Sequence, residues 1–232
     1  MAAGPLLRWR RDQLRVLAAR LAIPGAAAVV TIAVVFLLLP VAGVLPRLGL
    51  IFAGGVAIAS LAPLAGRDLR RTPLHIWGMV IAHFGIAVAL AGMASESAFT
   101  RETLVAARPG ETLSVGPWSV RFVGVEPVAG PNWTAIRAQL EARRGGTVLT
   151  LEPEARMFNA PPTETTESAI ATRPTGQLYT VLGKSDGGGR WQLRLWWKPM
   201  VTLIWAGGAL VAIGGALALL GRLRRERRRE AM

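Results

Sequence analysis

Cysteine is absent from this 232-residue chain, which excludes disulfides, thiolate metal sites and thiol redox chemistry. Histidine occurs only twice, so a closed four-ligand zinc site has too few soft donors. Acidic residues are scarce as well: 14 Asp and Glu stand against 27 Lys and Arg, a net charge of +13. No Ser-His-Asp order, Gly-rich phosphate loop or paired-carboxylate pattern is present. What the chain has in excess is apolar: 52% of residues are hydrophobic and the mean hydropathy is +0.39, a balance that does not fit a single soluble globule.

Four apolar stretches account for that excess, each close to the roughly 20 residues an α-helix needs to cross a bilayer core. They are residues 21–44, 48–65, 74–94 and 200–220. Pro24, Pro40 and Pro63 fall near the ends of the first two, where a spanning helix tolerates the lost hydrogen bond. An Arg-rich start followed by a long apolar run without a small-residue cleavage pattern predicts that the first helix stays in the membrane.

Charge orients these spans, because Lys and Arg accumulate in loops on the cytoplasmic side. Residues 1–20, 66–73 and 221–232 together carry fourteen Arg against four acidic residues, +10 of the chain's +13. Residues 95–199 carry only +2. Both termini are therefore expected to be cytoplasmic tails (1–20 and 221–232), flanking three helices in 21–94 and a fourth in 200–220. Residues 95–199 are expected to form one domain outside the cytoplasm. The basic residues follow the topology rather than a folded, water-exposed face, so no nucleic-acid partner is expected. The terminal run RLRRERRR reads as a stop and orientation signal.

The external segment carries short alternating runs separated by Gly- and Pro-containing turns, the pattern of a small antiparallel sandwich or barrel. Strands are expected at 112–115, 118–125, 133–142, 147–151, 177–182 and 190–197, with Trp191, Leu193, Leu195 and Trp197 on one face. Residues 153–176, rich in Pro and Thr, read as a long irregular excursion. The expected fold is thus an integral membrane α-helical protein of four transmembrane helices with one external all-β domain.

His83 is the only ionisable residue at membrane depth in these spans. Gly78, Ala82, Gly85, Ala89 and Gly92 form a narrow small-residue stripe suited to close helix packing, and His83 points away from it. Its own face carries Ile76, Met79, Val80, Ala87 and Leu90, which equally describes the wall of an apolar cofactor pocket and a lipid face. A neutral imidazole is a good axial ligand for haem iron, yet a lone intramembrane His also serves as an interhelical hydrogen-bond partner. From the residue alone, the hydrogen-bonding role is favoured. His75, beside Arg70, Arg71 and Trp77, needs no special role.

Several blocks resemble one family, the CcmF (also NrfE) haem-lyase subunits of bacterial cytochrome c maturation. Gly4-Pro5-Leu6-Leu7-Arg8-Trp9-Arg10-Arg11-Asp12 resembles the segment before the family's later helices. Trp77-Gly78-Met79 with Ala82-His83-Phe84-Gly85 resembles its WGM and AHxG helix block. Gly130-Pro131-Asn132-Trp133 is similar to the GPNY or GPNW turn, and Leu151, Pro153, Glu154, Arg156 and Phe158 to the LxPExRxY strand. Thr166-Glu167-Ser168-Ala169-Ile170 resembles MTEAAI, with Thr165 in place of Met. Leu178-Tyr179 with Leu182-Gly183 resembles DLYxxLGE, with Gln177 and Lys184 in place of its acidic ends. Lys198-Pro199-Met200-Val201 with Ile204-Trp205-Ala206-Gly207 is similar to KPxVxWIWxG.

The resemblance implies the C-terminal third of such a protein, either one polypeptide of a split protein or a truncated product. It lacks the family's earlier helices, its Trp-rich haem-binding loop with two external His ligands, and its second membrane His. It implies that His83 is an axial ligand to the iron of a membrane haem b, with Met79 and Ala87 in the pocket wall and the second ligand on another chain. The implied function is to help join haem covalently to apocytochrome c at the inner membrane and periplasmic face, with no activity expected of this chain alone. Implied partners are the missing N-terminal part, the haem chaperone, the thiol-handling subunit, apocytochrome c and quinol. Asn132, Trp133, Glu154, Arg156, Glu167, Tyr179 and Trp191 are candidate partner contacts; each also has a structural role available, in a turn, the core or a surface ion pair. The alternative is a noncatalytic membrane scaffold or assembly subunit that presents the β-domain. No catalytic residue is assigned.

Overall fold

The computed structural model describes residues 26, 29–34, 36–37 and 43–230. Two compact units divide the chain, one of helices and one spanning Phe99–Thr202. In the helical unit, α1 covers Val44–Leu61, α2 Leu74–Phe99 and α3 Thr202–Glu230. All three are long and apolar enough to cross a bilayer. Most of the expected first span, 21–44, lies outside the described residues; those of it that are described up to residue 37 are helical.

Helix ends differ from the expected spans for local reasons. Helix α1 starts at Val44, directly after Gly43, and gives way at Pro63 to a 3-10 turn, Ala62–Leu64. Helix α2 runs five residues beyond Ala94, and Ser95 is buried on it. Helix α3 continues through Arg222, Arg224, Arg225 and Arg227, which are good helix formers with no Pro to stop them.

The small-residue stripe of α2 packs against α3. Gly78, Gly85 and Gly92 recur every seven residues, as do Gly207, Gly214 and Gly221 on α3. A Cβ on Gly85 would come 2.7 Å from the Gly207 carbonyl oxygen and 2.8 Å from the Val211 nitrogen. One on Gly207 would come 2.5 Å from the Gly85 oxygen and the Ala89 nitrogen. The backbones themselves are in contact, in antiparallel register, as in small-residue membrane interfaces. Val80, Ala87 and Ala94 form a second buried line on α2, and Gly49 of α1 lies against Ala94.

Ten strands build the second unit. They are β1 (Arg101–Ala107), β2 (Thr112–Val115), β3 (Trp118–Ala129), β4 (Trp133–Arg144), β5 (Thr147–Leu151), β6 (Glu154–Asn159), β7 (Pro162–Glu167), β8 (Ala169–Arg173), β9 (Gly176–Ser185) and β10 (Trp191–Pro199). One sheet has the order β1-β10-β9-β8; the other runs β2-β3-β4-β6-β7, with β5 also paired to β4. All pairings are antiparallel. Alternation decides the packing: Leu193, Leu195 and Trp197 of β10 and Leu178 and Leu182 of β9 meet Val120, Phe122, Ala138 and Leu140 across a two-layer sandwich core.

The structure corrects the reading of 153–176 as an irregular excursion. That segment holds β6, β7 and β8. Strand β7 is an edge strand whose residues are nearly all exposed, so selection for alternating apolar residues is missing there. Strand β1 likewise follows α2 after one residue and was not anticipated.

Candidate functional site

His83 stands exposed on α2, and its Nδ1 lies 2.7 Å from the carbonyl oxygen of Met79, one turn back. A carbonyl can only accept, so Nδ1 carries the proton and donates. In the neutral ring that leaves the lone pair on Nε2, free to meet a partner beyond the helix. An outward Nε2 with Nδ1–H anchored to a backbone carbonyl is the arrangement metal-ligating histidines use to fix tautomer and ring orientation. Met79 is half-buried and Ala87 is buried, so Met79 serves the site through its carbonyl. Ile86 and Phe84 are exposed apolar neighbours. Among the described residues no group of three or more His, Cys, Asp or Glu gathers to hold an ion. A macrocycle that already supplies four donors needs only an axial nitrogen, and the apolar surroundings of His83 fit such a group.

The candidate contacts of the sandwich separate into three places. Cross-strand register brings Glu126 of β3, Arg137 of β4, Glu154 of β6 and Glu167 of β7 into one row on the outer face of the second sheet. The next row contains Ala135, Arg156 and Thr165, and the one beyond it Trp133, Phe158 and Thr163. Glu154 sits at the centre with its side chain 6% exposed. Its Oε1 accepts from Arg137 Nε at 2.7 Å and its Oε2 from Arg156 Nε at 2.7 Å. Arg156 reaches on to Glu167 at 3.4 Å and stacks over the Trp133 ring at 4.3 Å from its centroid. Arg137 also lies 3.8 Å from Glu126 and 3.7 Å from Glu152.

Two like charges, Glu154 and Glu167, stand directly opposite, a repulsive pairing that Arg156 offsets by bridging them. Burial alone pushes the Glu154 carboxyl up, but the hydrogen bonds and charges of Arg156 and Arg137 outweigh it and hold it below the ordinary 4.5. Hydrogen bonding to Glu154 correspondingly raises Arg137.

Asn132 closes the neighbouring turn: its carbonyl accepts from the Asn159 nitrogen at 2.9 Å. Gly130 lies under the Trp133 ring, where a Cβ has no room. Tyr179 belongs elsewhere, on the outer face of the first sheet, edge-on to Trp196 with centroids 5.2 Å apart. Trp191 packs at the rim of the core and lines a cleft of about 560 Å³ with Met157, Glu164, Thr166 and Lys184. Sequence reasoning missed Arg137 and Trp196. Alternation along β4 and β10 placed both on outer faces, but only strand register reveals their neighbours.

Residues 98–199 match the family model described as the CcmF C-terminal beta-sandwich. The cytochrome c-type biogenesis protein CcmF of Escherichia coli K12 is 36% identical over 94% of this chain and 34% of its own length. The cytochrome c-type biogenesis protein ccl1 of Rhodobacter capsulatus is also 36% identical, over 94% of this chain and 35% of its own. A solved structure named cytochrome c heme lyase CcmF has the same fold, with a TM-score of 0.68 and 24% identity over 94% of this chain and 37% of that one. The chain spans about a third of the length of the curated relatives it matches. Residues 98–199 belong to the CcmF C-terminal beta-sandwich family, and the chain as a whole is similar to about a third of the length of CcmF proteins.

Proposed function

We propose that this chain is the C-terminal part of a membrane cytochrome c haem lyase, a cytochrome c biogenesis protein. His83 supplies one axial ligand of a haem b, and the second ligand comes from the part of the protein that this chain does not span. The sandwich lies on the periplasmic side of the inner membrane, with both termini cytoplasmic, and offers a docking surface to apocytochrome c and the other maturation proteins. A haem held at His83 would supply one-electron redox chemistry, with quinol as the electron source and the iron of the delivered haem as the group kept reduced. This chain's own work there is to present Nε2 in a single tautomer through the Met79 hydrogen bond. That geometry, on a helix with no Asp, Glu, Lys or Arg between Leu74 and Ser95, is the observation that carries the reading.

A reduced-minus-oxidised visible spectrum tests it, taken on the purified chain alone and mixed with membranes that supply the remaining CcmF polypeptide. The expected result is a b-type signal in the mixture that disappears with His83→Ala while the sandwich stays folded. Absence of the signal in both samples overturns the reading. A scaffold role is the second reading, favoured by the gathering of Trp133, Glu154, Arg156 and Glu167 on one outer face, with Asn132 in the adjoining turn. It makes the opposite prediction: His83→Ala leaves cytochrome c formation intact and Trp133→Ala impairs it.

A further inference from the structure

The outer faces of the two sheets differ in chemistry. The second sheet carries the carboxylate row around Glu154. The first carries a row in which Glu102, Trp196, Tyr179 and Ile170 are register neighbours on β1, β10, β9 and β8. Ile170 is 49% exposed although it lies on a sheet whose other face already fills the core.

This first sheet is the one joined covalently to the apolar helices at both ends. Strand β1 begins two residues after Phe99, and β10 ends three residues before Thr202. The chain leaving β10 is tied to the β8–β9 turn: the Met200 N–H donates to the Thr175 carbonyl at 3.0 Å, and Thr202 Oγ1 to the Pro174 carbonyl at 2.9 Å. Arg144, from the β4–β5 turn, reaches Thr175 Oγ1 at 3.4 Å. One end of the sandwich therefore gathers the junction with α3, the β8–β9 turn and three cationic side chains, Arg144, Arg173 and Lys198. The row with Trp196, Tyr179 and Ile170 lies two residues along the strands from the row Thr172–Gln177–Lys198 at that end, about 7 Å by strand rise. Headgroup layers are of similar depth, roughly 5–8 Å on each side of the hydrocarbon core. Trp, Tyr and long cations are the residues that settle in this layer.

We propose that this end of the sandwich docks in the headgroup layer of an anionic phospholipid bilayer, Arg144, Arg173 and Lys198 meeting phosphates next to the helix junction and Trp196, Tyr179 and Ile170, about two residues farther out along the strands, lying against the outer headgroups. The proposal rests on the reading that α2 and α3 cross the bilayer. Its basis is charge complementarity together with the placement of interfacial residue types beside the helix junction. Attachment there holds the carboxylate face of the other sheet in a fixed orientation toward the aqueous compartment.

The absence of cysteine makes the test direct. Single-cysteine variants Ile170→Cys, Gln192→Cys and Ile213→Cys of the full chain are spin-labelled in phosphatidylglycerol–phosphatidylethanolamine vesicles, and collisions with oxygen and with a water-soluble nickel chelate are compared. Gln192 is exposed on the same sheet face, in the row that pairs with Ala106, remote from the helix junction. Ile213 is 53% exposed on α3 and reports whether that helix is in lipid at all. The expected nickel accessibility at position 170 is at least about threefold below that at 192, and it rises about twofold when Arg144→Gln and Arg173→Gln remove two headgroup contacts. Equal accessibility at 170 and 192 with a nickel-poor 213 overturns the docking alone. A nickel-rich 213 overturns the spanning reading as well. Protection at 170 that vanishes on lipid dilution marks a second copy of the chain as the occupant, and overturns the lipid assignment.

Discussion

Glu154 illustrates how one residue's role depends on neighbours that sequence distance conceals. Its pairing with Arg156, two positions away, is visible in the sequence, as is a surface ion pair between them. Invisible there is Arg137, seventeen residues away, which register places directly opposite. With both guanidinium groups on it, the carboxylate stays ionised in a buried position, a state that is costly without such partners. Removing it leaves two half-exposed cations that water partly rescues, so Glu154→Ala is expected to cost about 1–3 kcal/mol of sandwich stability. Urea unfolding of the full chain in nanodiscs, followed by tryptophan fluorescence, measures this. The pH dependence has a definite sign. A carboxyl whose folded value is lowered contributes stability above its unfolded value near 4.5, and that stability is lost as pH falls through the lower folded value. Wild type should therefore lose more stability than Glu154→Gln on acidification below about pH 4.5. Parallel acid profiles for the two proteins would falsify the assignment.

Among the elements, α2 and α3 show what periodicity makes legible. Glycines seven residues apart on α2 announce a packing stripe because nothing else on a helix face gains from the loss of a side chain. Adjacent pairs on α3 sharpen the point: Gly207 and Gly214 meet backbone of α2, whereas a Cβ on Gly208 or Gly215 meets nothing within 4 Å. Gly214→Ala is expected to destabilise the helix pair by about 1–3 kcal/mol through forced separation, and Gly215→Ala to be neutral or slightly stabilising through helix propensity. Unfolding in mixed micelles titrated with a denaturing detergent compares the two. Strands were legible where one face enters the core, as in Leu193, Leu195 and Trp197. They were not legible in Thr163–Glu167, where most residues are exposed and backbone pairing to β6 and surface ion pairs, rather than an apolar face, hold the strand. The geometry at His83 divides the same way. Position on the helix marked His83, but the Met79 carbonyl that fixes its tautomer becomes evident only in the folded chain.

At the scale of the whole molecule, charge distribution carries an expectation that packing cannot. The three short basic segments hold nearly all of the excess charge, and long external segments translocate largely regardless of their own charge. Cationic side chains at the helix-proximal end of the sandwich do not weaken this, because acidic residues elsewhere in the domain leave it at +2. Those charges are expected to orient the helices and are not a property of any one element, so they can be read without knowing the fold. The expected outcome is a sandwich outside the cytoplasmic membrane and a C-terminus inside. Gly188→Cys in the exposed β9–β10 loop supplies a unique thiol at a position of ordinary φ, with Asp186 Oδ1 3.4 Å from the new Cβ. A membrane-impermeant maleimide should label it in intact spheroplasts, while a green fluorescent protein fused after Met232 should fluoresce, which it does only when folded in the cytoplasm. Exchanging the six Arg of 222–229 for Gln should reduce the fraction of correctly oriented chains without touching the sandwich, because the helix they extend remains apolar enough to insert. Labelling of Gly188→Cys that requires permeabilised membranes, alongside a dark C-terminal fusion, places the sandwich inside and removes the basis for a periplasmic docking role.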